Sequence, residues 1–128
     1  MTSETVQVIL PLPSGLLSPN HQAGSIGGRM AKAAAAKKHR NKSRLITLDS
    51  KIESGPWKLA SVAATFYFAT KRRRDTDNYT AMLKPAYDGL VDAGLLVDDD
   101  YEHLKREEPK FLMDRKFPRV ELVITRRG

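Results

Sequence analysis

The chain has no cysteine, so no disulfide framework supports its fold, in agreement with a reducing compartment. No run of 18 apolar residues is present to span a bilayer, and the N-terminus lacks the basic-then-apolar order of a secretion signal. A soluble cytoplasmic protein with no membrane partner is the expectation. The three histidines, His21, His39 and His103, are scattered without zinc spacing, which leaves them structural or surface roles. At 128 residues the chain suits one domain, 1–128, with a single core and no internal repeat.

Charge is plentiful but segregated. Lys and Arg number 22 against 15 Asp and Glu, a formal charge of +7 that favours a polyanionic partner through its long-range field. Arg29 to Leu45 carries seven basic residues (Arg29, Lys32, Lys37, Lys38, Arg40, Lys42, Arg44) and no acid. Asp75 to Glu102 reverses this, with eight acids and Lys84 as the only base. A second basic run, Lys71-Arg72-Arg73-Arg74, directly precedes the acidic stretch.

Apolar periodicity places these segments on elements. Val6 to Leu10 reads as a short buried strand stopped by Pro11 and Pro13. Leu12 to Gly28 is rich in turn formers and reads as a loop, and Arg29 to about Leu45 as a helix whose apolar side is only alanine. Such a helix packs weakly and leaves its basic face to a partner. Trp57 to Thr70 is the clearest strand, with Val62, Ala64, Phe66 and Phe68 on one side at period two. Trp57, Phe66, Tyr67 and Phe68 belong to a core or dimer interface rather than to base stacking. From Asn78 to Ala93 a helical stripe ends at Gly94, and Pro85 either sits in the first turn of a helix starting near Lys84 or kinks a longer one. Tyr101 to Phe111 reads as a strand or an irregular segment, and Val120 to Thr125 closes the sheet.

Clustered acids repel one another and are usually offset by a cation, and hard oxygen ligands suit Mg²⁺ or Mn²⁺. Asp75 and Asp77, read as alternate residues at a strand end, would hold two like charges side by side, an arrangement nothing structural rewards without a cation between them. On one straight helix Asp77, Lys84 and Asp88 would lie within roughly 20° of a line, although Lys84 and Asp88 are also spaced as an i, i+4 surface pair. Basic runs that hold a nucleic-acid backbone next to an acidic metal pocket make a metal-dependent nuclease the leading functional hypothesis. The alternatives are a non-catalytic nucleic-acid-binding protein and a nuclease of RNA or other DNA.

The order Arg73-Arg74-Asp75-x-Asp77-Asn78, then Lys84-x-x-x-Asp88-x-Leu90, Ala93-Gly94 and Asp98-Asp99 resembles the RusA family of Holliday-junction resolvases. The opening Leu12-Pro13-Ser14 and Asn20 and the closing Glu121 to Ile124 strand are similar to that family's ends. The resemblance implies an α+β homodimer, a small mixed sheet with two main helices, that resolves four-way DNA junctions by paired nicks with Mg²⁺ or Mn²⁺. It implies Asp75, Asp77 and Asp99 as metal ligands and Lys84 as the essential lysine, with Asp98 and Asp100 as rivals to Asp99. Lys84 lies seven residues beyond Asp77, where some members place it four beyond, a shift of about 5 Å along a helix. Lys37, Lys38 and Arg40 on the basic helix, with Lys71, Arg72, Arg73 and Arg74, are the expected DNA-backbone contacts.

Overall fold

In the structure, a computed structural model that describes residues 4–128, one mixed sheet is covered on one face by helices. Strand β1 (Thr5–Leu10) runs antiparallel to β5 (Arg119–Arg126), which runs antiparallel to β2 (Ala60–Phe68). The far edge of β2 is paired in parallel by two short strands in succession, β3 (Leu104–Arg106) and β4 (Lys110–Met113). Pro109, which has no N–H to give a ladder, lies in the break between them, so the segment from Tyr101 to Phe111 is part strand and part irregular.

The sheet side chains sort as period two requires. Val6, Val8 and Leu10, then Val62, Ala64, Phe66 and Phe68, then Val120, Leu122 and Ile124 are all buried on the helix side. β1 is therefore buried on one face only; Gln7 and Ile9 point to the open face. On that open face Arg119 lies 3.8 Å over the Tyr67 ring and pairs with Glu121 and Asp114.

Helix α1 (Ile26–Asp49) starts earlier than the basic composition predicts because Ser25 caps it, its hydroxyl accepting from Gly28 N. Its packing side also differs from the expected alanine face: Ala31 and Ala34 are exposed, and the buried residues are His39, Ser43 and Thr47 at i, i+4, i+8. No residue from Ile26 to Lys38 is fully buried. Ser43 meets Gly89 of α3 (Lys84–Asp92), where a Cβ would stand 2.7 Å from the Ser43 Cβ, and Ser43 Oγ donates to the Ala86 carbonyl at 2.7 Å. Glycine is required there because the two backbones touch.

Of the two readings of Pro85, the first holds. α3 starts at Lys84 with Pro85 in its first turn, and a separate short helix α2 (Thr76–Ala81) precedes it. α2 is held on the sheet by Tyr79, which meets Phe66, Phe68 and Phe111 edge-on at 5.1–5.7 Å between ring centroids. Gly94 ends α3 at φ +81, a conformation that glycine adopts without strain. Among the described residues no helix is long and apolar enough to cross a membrane.

Candidate functional site

β2 delivers the chain to Lys71–Arg74 and then to α2. Asp75 does not stand at a strand end. It is the N-cap of α2, and its Oδ1 accepts from Asp77 N at 2.9 Å and Asn78 N at 3.4 Å. Asp77 falls in the first helical turn, where unpaired N–H groups favour an anion. The local reward that the spacing alone did not suggest is thus a helix cap, which explains two nearby acids without a cation between them. Both bonds use Oδ1 of Asp75, so its second carboxylate oxygen is free of them.

Asp99 has a different setting. It is only 5% exposed, and two cations answer it: Lys84 Nζ donates to its Oδ2 at 2.6 Å, and Arg106 Nη2 lies 3.5 Å from the same oxygen. Arg106 also donates to the Asp99 carbonyl at 3.0 Å, and its guanidinium lies 4.9 Å over the Tyr87 ring. Burial pushes the Tyr87 phenol up to about 12. Lys84 in turn bridges to Asp88 at 2.9 Å, the i, i+4 pair, so one ammonium serves carboxylates from α3 and from the loop beyond it. Burial pulls the Lys84 pKa down, but the hydrogen bonds it donates to Asp99 and Asp88, with the charges of those carboxylates, outweigh it and the net shift is upward.

These groups surround a cleft of about 280 Å³ lined by Asp77, Thr80, Ala81, Lys84, Tyr87 and Arg106. Asp77 and Lys84 share the cleft although α2 and α3 are separate helices rather than one line of side chains. Asp75 and Asp99 both lie outside the lining, but Asp99 is bonded to two residues that belong to it, Lys84 and Arg106. Asp75, Asp77 and Asp99 do not bring three ligand atoms within 4.8 Å of one another. Among the described residues the group that does so is Asp98, Asp100 and His103. In that group His103 Nδ1 lies 2.5 Å from Asp100 Oδ1, and this bond, ahead of backbone bonds from His103 and Glu102, holds the Asp100 carboxyl below its ordinary range. His103 therefore has a polar role that its isolation in sequence did not suggest.

Of the residues that line the cleft only Asp77 offers a carboxylate, and a divalent cation between Asp99 and Asp88 would take the position the Lys84 ammonium holds. Carboxylate oxygens are what Mg²⁺ and Mn²⁺ take, and Asp99 and Asp88 together already draw the Lys84 ammonium to hydrogen-bond distance. Lys84 is then a competitor for the position as well as a neighbour of it.

The expected backbone contacts divide. Arg40 is bound to Asp92 through two bonds of 2.5 and 2.8 Å and lies 3.9 Å from Asp88, so its charge is spent on joining α1 to α3. Lys37 and Lys38 are exposed and form no ion pair among the described residues. The same holds for Lys71, Arg72 and Arg73, while Arg74 lies 3.7 Å over the Phe68 ring and donates to the carbonyls of Thr70 and Arg72. Arg106 was not legible as a site residue, because it reaches Asp99 from β3 and no local spacing marks the pair. Compared with known proteins, the chain matches no protein-family model and no curated protein.

Proposed function

We propose that the chain is a metal-dependent endodeoxyribonuclease that resolves four-way DNA junctions by paired nicks, as its resemblance to the RusA family implies. The observation that carries the reading is the cleft where Asp77, Lys84 and Arg106 meet, with Asp99 bonded to the last two, directly after a run of four cations. In this reading Asp75, Asp77 and Asp99, which stand apart in this structure, would have to close on one another to hold Mg²⁺ or Mn²⁺, and the ion when bound would supply an acidified water and neutralise charge on the phosphate. Lys84 and Arg106 donate to phosphate oxygens as charge develops on them. Lys71 to Arg74, with Lys37 and Lys38, position the sugar-phosphate backbone and read no bases. Two symmetric nicks require two sites related by a two-fold axis, so the acting species is a homodimer.

A second reading, a nucleic-acid-binding protein without catalysis, is favoured by the internal roles of two proposed ligands: Asp75 caps α2, and Asp99 is already paired with Lys84 and Arg106. Cleavage separates the two. A mobile four-way junction incubated with Mg²⁺ should give paired nicks that EDTA abolishes. Asp77→Asn, at an exposed position, should still bind the junction and lose cutting by on the order of 100-fold or more. Intact binding with no metal-dependent cutting by the parent chain sinks the nuclease reading and leaves the binding one.

A further inference from the structure

Another concavity, of about 550 Å³, lies between Lys71–Arg74 and residues 111–113 of the edge strand β4, with Phe68 beneath Arg74. We propose that this groove holds an unpaired stretch of a DNA strand, phosphates along the cations and bases against the edge strand. The inference rests on the reading of the chain as a protein that engages DNA, and it holds for either version of that reading.

Three observations carry it. The first is charge: no member of Lys71–Arg74 has an acidic partner among the described residues, while Arg40, Lys84, Arg106, Arg119 and Arg126 all do. The groove is where uncompensated positive charge is densest in sequence, so its occupant is anionic. The second is the opposite wall, where Leu112 and Met113 are each 48% exposed on a strand whose sheet partner is β2 alone. A duplex would satisfy the cations and leave these side chains uncovered, since its base faces are stacked away inside. An unpaired nucleotide segment offers both surfaces at once, a phosphate chain and open base faces, which is the combination single-strand sites use. The third is place. Asp75 follows Arg74 directly, so a strand lying in the groove leads toward the helix that carries Asp77 into the cleft.

The geometry also separates the roles within the basic run. Arg74 is fixed, stacked on Phe68 and bonded to two carbonyls, and forms a rigid cationic plane at the groove. Lys71, Arg72 and Arg73 are exposed and free to follow a backbone. Phe68, expected in a core or dimer interface, is a core residue, Phe111 is partly buried against the core, and both also line the groove.

The test is fluorescence anisotropy at fixed salt with a labelled 12-nucleotide single strand and a hairpin duplex of matched charge. Leu112→Ser with Met113→Ser should weaken single-strand binding about 10-fold and duplex binding less than about 2-fold, since base faces that cover exposed apolar side chains remove apolar surface from water and a serine forfeits that gain. Lys71→Ala with Arg73→Ala should weaken both ligands alike and flatten both salt dependences. All changes are at exposed positions, and thermal melting confirms that each variant is folded. Equal losses for the two ligands with the serine variant, or no loss, overturn the proposal. So does a serine variant that binds both ligands normally but sediments as monomer where the parent is a dimer, because the edge strand is then covered by a second copy. Junction cutting measured beside these titrations keeps the outcomes apart. Loss of cutting with the single-strand preference intact counts against the nuclease reading alone, and cutting without that preference counts against the groove alone.

Discussion

Asp99 is 5% exposed and answered by Lys84 at 2.6 Å and Arg106 at 3.5 Å, whereas Asp75 is exposed and answered only by backbone N–H groups on its Oδ1. One carboxylate is held by side chains brought from α3 and β3, the other by the first turn of the helix it opens. Their difference teaches that neighbouring carboxylates can be offset in two distinct ways, long-range pairing and local capping. Each way has its own signature on substitution.

The largest expected effect comes from moving α3, which carries Lys84, while leaving α2 alone. Gly89→Ala puts a methyl group against the Arg40 carbonyl and 2.7 Å from the Ser43 Cβ, both fixed in α1. Overpacking of this kind costs about 3 kcal/mol where neither neighbour can yield. Urea unfolding should show that loss, and NMR shifts should change around Asp99 and not around Asp75. A change spread evenly over both would erase the distinction.

A direct exchange sharpens it. Asp99→Asn removes charge-assisted bonds from a buried position and should cost about 2 kcal/mol. Asp75→Asn keeps an N-cap of equal quality and should cost only a few tenths, while Asp75→Ala should cost about 1 kcal/mol. Thermal unfolding of the three variants under one buffer checks the order. Equal costs for Asp75→Asn and Asp75→Ala would mean that charge, not capping, holds that residue in place.

The smallest effect belongs to a third aspartate, which serves as control. The Arg40 hydrogen bonds, opposed by partial burial, hold the Asp92 carboxyl below its ordinary 3.8. A depressed carboxylate stabilises the fold fully above the unfolded value, and the contribution is lost as pH falls through the lowered folded value. Acid titration of Asp92→Asn should therefore match the parent's shape near neutrality less a constant offset, begin to converge with it as pH falls through the unfolded value, and meet it only below the lowered folded value. The offset should be small because the pair is solvent-screened.

β2 and β5 were legible because one buried face imposes period two, which both show without exception at Val62 to Phe68 and Val120 to Ile124, whereas β3 and β4 fall in and beyond a segment that read as strand or irregular. The end of α3 was legible for a similar reason, since Gly94 supplies the positive φ its cap requires. α1 was legible as a helix from composition but not in its packing side, because burial there follows a backbone approach between Ser43 and Gly89 rather than apolarity. In the candidate site, Lys84 and Asp88 were legible as an i, i+4 pair. The sharing of Lys84 with Asp99, and Arg106 behind it, were not, because loop and β3 close that contact across the fold.

The anchoring of α1 has a mechanical consequence. The helix is pinned where Ser43 meets Gly89 and Arg40 grips Asp92, and from there to Ile26 it extends about 25 Å with no fully buried residue before His39. Along that arm Lys32 Nζ donates to the Ser18 and His21 carbonyls at 3.5 Å, a second and weaker tie, and a tilt of about 10° about the pin would sweep the far tip through about 4 Å and stretch that tie. Arg29, Lys37 and Lys38 are exposed along the same arm.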